Sequence, residues 1–589
     1  MTETARAAPS SSRCLTLEGI VMPERYSLLG RAWIPVALAD GQRVFVRPCD
    51  ISQPYDTNDG PKDILRIATG RPDCDVALME FLIGLLAITM DGAGVGDWPI
   101  RYRTPPTREE LEALLAPLQP AMYLDGNGAR FFQDREDLDG TTTPVASLLV
   151  DAPGANAIKD NADHFVKRGR TSVLSRAGAA TVLLTLQTAA PSGGAGHRTS
   201  LRGGGPLTTL VHPGQPENSE PTLWQSLWSN APDGYTAQPD DYERVFPWLV
   251  STRVSDKAGV ATTPEDVHKA QAFFGQPRRI RLVFEPNVDA RPCDLTGEID
   301  EVVVTGYVTR PWGTNYTAWS KGHPLSPYYL PKKTDTEWLP VHLQSSRVGY
   351  RDWLGLVMDS TEGLRIPAAS VHAFTERARN LGRRDQIALL DCRLLVAGYA
   401  MDNMKPLDFG EALLPLIVTG SEIGDRQVRA TARSLVEGAE IVAGHLVASV
   451  KLALYGPKAK ADTGSTVLGP VRDRFWAETE DAFFRTLRTA AGRFVIDGEP
   501  ADEPQEARAA TAEEWRNVLR RHALAIFDDT APIEDADGDR IQHVIEGRKW
   551  LGLMLEGSGP TGRKLFDKLH LVLPDTGTRG NGGRGRTTR

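Results

Sequence analysis

Apolar and polar positions follow two different rhythms along this chain, and the change from one to the other divides it. In the first two thirds, short stretches with strand character dominate. Leu28–Val36 (LLGRAWIPV) and Arg43–Ile51 read as two strands around an Asp40-Gly41 turn. RIRLVF and VVVTGYV, inside Arg278–Val308, are rich in β-branched residues, and Leu394–Tyr399 is a further short apolar strand. Helical spacing interrupts these strands at Val76–Met90, at Arg108–Leu115 between Pro106 and Pro117, and at Thr171–Ala190, which stops at Pro191. Thr222–Asn230 places Trp224 and Trp228 on one helix face, a core-packing pattern. Past Pro406 the period becomes helical throughout. Asp425–Tyr455 carries Val428, Leu435, Val442 and Leu446 on a stripe, and Arg472–Ala490 aligns Phe475, Thr479, Phe483 and Leu487. A third helix opens on the capping box Thr511-Ala-Glu-Glu514, and a fourth starts near Asp539, holding Ile545, Trp550 and Leu553. The pattern predicts an α+β protein: a flexible N-terminus (1–26), a large mixed α/β domain (27–405), a four-helix bundle (406–573) and a disordered Gly/Arg tail (574–589).

A length of 589 residues suits several domains, and 41% apolar with 24% charged residues is ordinary for a globular protein. The net charge of −9 argues against a generic, charge-driven nucleic-acid binder, so any polyanion site must be a local basic patch. The five cysteines are scattered without a CxxC pair, which fits reduced thiols rather than a disulfide framework or structural zinc. Val76–Met90 is too short to span a bilayer and contains Glu80, and the first two dozen residues lack an apolar signal core. A cytoplasmic protein with no membrane partner is expected.

The strongest local signal is Ser192–Pro206, where Gly193, Gly194, Gly196, Gly203, Gly204 and Gly205 flank Arg198 and Arg202. Glycines let successive N–H groups curl into an anion-binding concavity, and guanidinium forks match phosphate. A nucleotide-hydrolysing enzyme is one reading, yet GxxxxGK[ST] needs a lysine between a strand and a helix, and the lysine is missing. His197 has no partner acid nearby in sequence and reads as a hydrogen-bond donor rather than a base. Asp535–Glu546 places acids at positions 1, 3, 5 and 12 of a calcium loop but puts Arg540 where the glycine belongs; an interhelical turn capped by Asp539 explains the same letters. No HExxH or GxSxG is present. No catalytic residue, cofactor or metal is therefore assigned.

The glycine loop runs into Pro206-Leu-Thr-Thr-Leu-Val211 and Leu223-Trp-Gln-Ser-Leu-Trp-Ser-Asn230. With Leu28-Leu29…Trp33-Ile-Pro-Val36, Thr305-Gly-Tyr-Val-Thr-Arg-Pro-Trp-Gly313 and Gly398-Tyr399, the chain resembles the CasA family, the large subunit of the type I-E CRISPR Cascade complex, from about residue 27 onward. The resemblance implies a non-catalytic DNA-reading subunit of an RNA-guided antiviral surveillance complex. Its implied partners are the other Cascade subunits, guide crRNA, a target duplex bearing a PAM, and a recruited helicase–nuclease. It also implies that PAM reading is through the minor groove and starts strand opening. Carried over by position, Gly193, Gly194, Ala195 and Gly196 form the glycine loop, with Ala195 in the place of its key glycine. Bare backbone suits a groove about 6 Å wide. Arg198 and Arg202 would grip phosphates, and Arg310 is the basic finger, with Pro311 where the family pattern can have lysine. Asn403 stands at the amide wedge, where glutamine is better known, with Met401 or Met404 adding apolar bulk. In Gly154–Asn161, Asn156, Lys159 and Asn161 fall on a segment that enters the complex near the 5′ end of the guide. Only Cys293 remains of a cysteine cluster some relatives carry, so no zinc is expected. Plainer readings stay open: loop arginines paired with acids of the same chain, Arg310 as a turn residue, Asn403 as a helix cap, or an architectural subunit whose loop binds a protein neighbour.

Overall fold

The structure, a computed structural model, describes residues 25–574 apart from 91–96, 162, 164–167, 195, 257–259, 344–347, 361–362, 383–386, 403–404, 420, 461–463 and 495–504. The expected flexible N-terminus and Gly/Arg tail therefore lie almost wholly outside the described residues. Of the former, Arg25 and Tyr26 are anchored: the Arg25 guanidinium donates to the Ala129 carbonyl at 2.7 Å, and the Tyr26 N–H donates to Asp125 Oδ1 at 2.6 Å.

Strands β1 (Ile34–Leu38) and β2 (Arg43–Val46) pair antiparallel across Gly41, and β3 (Ile64–Ile67) completes their sheet. The expected first strand starts later than Leu28, because residues 28–30 turn back, with the Arg31 N–H donating to the Ser27 carbonyl at 3.0 Å. The second ends before Pro48, which has no N–H for a ladder and opens a 3-10 turn. Helix α1 (Pro72–Thr89) begins with proline at its first position and is buried on nearly every side, Glu80 included. It packs against α2 (Arg176–Ala189). That helix starts later than the periodicity predicts, because Leu174–Ser175 pairs with the strand at Val303–Val304 and Ser175 then caps it. The short helix Arg108–Leu115 is found as expected, capped by Thr107 and Glu110. Strand β4 (Thr208–His212) leads to α3 (Leu223–Asn230), where the Trp224 and Trp228 rings stack 5.7 Å apart in the core.

Strands β5 (Arg279–Pro286) and β6 (Val302–Arg310) pair along their length, from Pro286↔Val302 to Arg279↔Arg310. Strands β7 (Arg393–Asp402) and β8 (Lys405–Pro415) form a hairpin closed by Asp402↔Lys405, and β4 adds to the other edge of β7. This hairpin corrects the expected start of the bundle at 406. Alternating residues of Pro406–Leu414 face opposite sides, and Leu407 and Leu413 are left exposed on an edge strand, where a proline is tolerated.

The bundle begins with α4 (Glu422–Tyr455), capped by Ser421 and stopped at Gly456, and continues through α5 (Ser465–Gly492), α6 (Gln505–Thr530) and α7 (Asp539–Leu555). A fifth, shorter helix, α8 (Gly559–Lys568), follows, and α4 packs against all of the others. Thr511 does not open α6. It lies inside that helix, its hydroxyl donating to the Ala507 carbonyl at 2.9 Å. Asp539 likewise makes no cap: it is the first residue of α7, after Gly538.

Large domain and bundle share one continuous core. Tyr350 stacks on Phe483 of α5 at 4.5 Å, and its hydroxyl meets Thr479 Oγ1 at 2.8 Å. Trp353 Nε1 donates to the Pro415 carbonyl at 2.7 Å, so the end of the β7–β8 hairpin is tied to the same aromatic joint. Cys49, Cys74, Cys293 and Cys392 are buried free thiols, and Cys14 lies outside the described residues. Among the described residues no helix is long and apolar enough to cross a membrane.

Candidate nucleic-acid interface

Pro191 ends α2, and the chain makes an excursion before returning to β4. Two backbone bonds close its base: Ser200 N–H to the Ala190 carbonyl and Gly205 N–H to the Ala189 carbonyl, both 3.0 Å. Inside it, the His197 N–H donates to the Gly194 carbonyl at 2.8 Å, making a tight turn whose outer residues Ser192, Gly193 and Gly194 are exposed. Gly194 and Gly196 adopt φ of +65° and +83°, a region where a Cβ is penalised. Ala195 lies outside the described residues.

This turn is bolted to a second one. The Trp312 N–H donates to the Gly196 carbonyl at 2.8 Å, and a Cβ on Gly196 would stand 2.7 Å from the indole ring. Trp312 itself has φ +66°, an outlier for a bulky residue, and is 38% exposed. Arg198 stabilises the junction rather than reaching outward. Its Nε and Nη2 donate to the hydroxyl and carbonyl of Ser255, both at 2.8 Å, and its guanidinium lies 5.3 Å from the Trp312 ring centroid. Ser255 in turn donates its N–H to the Trp312 carbonyl at 3.0 Å and its hydroxyl to the Gly313 carbonyl at 2.6 Å. Arg310, two residues before Trp312, is the last residue of β6. It is exposed and has no ion pair among the described residues. It is a strand end, not a turn residue.

Arg202 requires a correction. It is 5% exposed and forms a 2.6 Å ion pair with Glu80 of α1, while its Nη1 donates to Thr208 and Ser326 at 3.0 and 2.9 Å. Thr208 donates to the other Glu80 oxygen at 2.5 Å. A guanidinium with its donors committed inside the core grips no phosphate. His323 lies in the same cluster, its Nδ1 accepting from the Leu325 N–H at 3.2 Å and its Nε2 3.7 Å from Glu80. Burial, with the Arg202 charge beside it, holds His323 well below its usual pKa, so the ring is neutral.

Asn403 and Met404 lie outside the described residues. The described residues on either side, up to Asp402 and from Lys405, are strand. The return leg of the glycine excursion runs beside this hairpin: a Cβ on Gly205 would stand 2.5 Å from Met401 Cε and 2.8 Å from Tyr399 Cβ. Asn156 and Lys159 fall in a short helix, Ala155–Lys159, where Lys159 is exposed. Asn161 has φ +50°, and its Oδ1 accepts from Arg168 at 3.0 Å.

Three contributors were not singled out from sequence: Ser255, Trp312 and Arg278. Trp312 carried a signal, its place in the motif that supplies Arg310. Arg278 is buried beneath the turn and donates to the Pro191 carbonyl; burial pulls its guanidinium down to about 10, still charged at neutral pH. His197 is also held below its usual value, first by burial and then by the charge of Arg278. The order helix, glycine loop, strand is the reverse of a nucleotide-phosphate loop, which removes the support for a hydrolase reading. Asp535–Glu546 runs from the end of a 3-10 turn at Asp535 into the first turns of α7, which begins at Asp539. Among the described residues no group of three or more His, Cys, Asp or Glu could hold a metal ion.

The profile of the family described as CRISPR-associated protein Cse1 matches residues 27–526. Among solved structures, CasA from Thermus thermophilus superposes with a TM-score of 0.65 at 18% identity, covering 90% of this chain and 99% of that one. Cse1 from Acidimicrobium ferrooxidans gives 0.64 at 18% identity, covering 92% and 100%. A chain of a CRISPR RNA-guided surveillance complex gives 0.60 at 16% identity, covering 90% and 100%.

Proposed function

This chain belongs to the Cse1 family, the CasA large subunits of type I-E Cascade, and from that premise we propose that it reads the PAM duplex for its complex and starts strand opening. The observation that carries this reading is the union of glycine turn and basic finger. The Gly196–Trp312 hydrogen bond and the Arg198–Ser255 clamp tie the loop that carries the exposed Gly193–Gly194 backbone to the turn that follows the exposed Arg310. Bare main chain enters a narrow minor groove without clashing with base edges, and a neighbouring arginine is attracted to its negative potential. No catalytic step is assigned to the subunit: base pairing with guide RNA tests sequence, while the protein inspects a short duplex. The β7–β8 hairpin, which runs beside the loop and is joined through Asn403-Met404, carries the strand-separating wedge. Lys159 and its neighbours in Ala155–Lys159 engage the guide and companion subunits. The finished assembly recruits the helicase–nuclease.

The test uses the assembled complex on a PAM-bearing duplex. Arg310→Ala weakens binding across target sequences and flattens the dependence of log K on log salt by about 0.9, the value for one lost phosphate contact. Unchanged affinity and slope would refute the assignment of Arg310. Asn403→Ala slows opening of a duplex target and spares a target already opened over the PAM-proximal bases.

A further inference from the structure

Five arginines are deeply buried among the described residues: Arg176, Arg202, Arg278, Arg281 and Arg377. Four of them face a carboxylate: Arg176 with Asp300, Arg202 with Glu80, Arg281 with Asp137, and Arg377 with Asp233. Arg278 is the exception. At 9% exposure it has no ion pair among the described residues, its Nη2 donates only to the Pro191 carbonyl, and its Nε has no partner there. The adjacent His197 contributes no negative charge. Burying a guanidinium without a counter-charge costs several kcal/mol, and a fold tolerates that where something else supplies the anion.

The position of Arg278 indicates what supplies it. A Cβ on Gly193 would stand 2.8 Å from Arg278 Nη1, so only a glycine ribbon lets the guanidinium come this near to the exposed segment Ser192–Gly194. At Gly194 a Cβ would meet nothing within 4 Å, so that backbone is open to an incoming group. A planar, permanently charged fork beneath bare backbone suits a phosphodiester, which has acceptor oxygens and no bulk on that side. We propose that a backbone phosphate of the bound duplex is the missing counter-ion of Arg278, making this residue the buried floor of the glycine loop's phosphate seat. The inference rests on the duplex-reading function above and adds to it a residue outside the loop and finger.

Two substitutions in the assembled complex separate charge from scaffold. Arg278→Gln keeps a donor for the Pro191 carbonyl but removes the charge, and Arg278→Lys keeps the charge. Arg278→Gln lowers affinity for the PAM duplex by about 10-fold and flattens the salt slope by about 0.9, while Arg278→Lys stays within about 3-fold of the parent. The free subunit carrying Gln is at least as heat-stable as the parent, because an uncompensated buried charge has gone. If Gln binds the duplex like the parent while Arg310→Ala still weakens binding, this inference fails and the wider reading stands. If neither change affects binding, the wider reading fails too. If Gln instead blocks assembly with companion subunits, the counter-ion is a partner's carboxylate and the phosphate assignment is overturned.

Discussion

Gly194 and Gly196 stand two positions apart with similar backbone angles, yet they differ in what surrounds them. An alanine at either meets the left-handed penalty of about 1–2 kcal/mol. At Gly196 the methyl also collides with the Trp312 ring, 2.7 Å away, whereas at Gly194 it points into open space. Gly196→Ala therefore loosens the joint to the finger, and exchange of the Trp312 amide, measured by hydrogen–deuterium exchange, speeds up by at least about 10-fold, equivalent to about 1.4 kcal/mol. Gly194→Ala leaves that amide within about 3-fold; under the proposed function it weakens duplex binding instead, because the methyl would crowd a minor groove about 6 Å wide. Equal exchange in the two variants would break the distinction.

Among the elements, the return leg of the glycine excursion is fastened to α1 through Arg202 and Glu80, and β7 is fastened to the same helix through Tyr399, whose hydroxyl donates to Asp73 at 2.5 Å. Helix α1 thus sets the relative position of loop and hairpin. Arg202→Ala leaves Glu80 as an uncompensated buried charge, and thermal unfolding should register a loss of about 3–5 kcal/mol. The pair replaced together by apolar residues of similar volume recovers most of it. A variant of unchanged stability with a flattened salt slope would instead return Arg202 to the phosphates. The pattern past Pro406 reads as helical, yet β8 forms there as a strand because β7 offers a ladder that runs to Asp402↔Lys405.

In the molecule as a whole, the buried cluster makes stability depend on pH. His323 is enclosed by Arg202, Glu80 and the Tyr328 hydroxyl, which accepts from the His323 N–H at 2.9 Å. Its folded pKa lies below the unfolded value, so the unfolded state binds the proton more readily. The contribution of His323 is complete above about pH 6.5 and is lost below it by up to about 1.4 kcal/mol per pH unit. Unfolding followed between pH 7 and 5 shows that slope, and His323→Gln flattens it; a parent protein without the slope would contradict the assignment. Large domain and bundle share one core through Tyr350 and Trp353, so the loss is felt beyond the cluster itself.

Periodicity, prolines and glycines located most of the helices, and short ordered motifs identified the family, because both are local properties of the chain. Helix Arg108–Leu115 and the existence of four long helices in the bundle follow from spacing, while their starts do not: Thr511 lies inside α6, which opens at Gln505. The roles of the arginines could not be read that way. Arg198 and Arg202 stand in the glycine excursion, whereas Arg278 precedes β5 and Arg310 ends its partner β6, yet all four carry the same side chain. Their fates are a clamp on Ser255, a core ion pair, a buried charge without a carboxylate among the described residues, and an exposed strand end. Each fate is decided by residues far away in sequence, because burial and counter-charge exist only once distant segments have packed together.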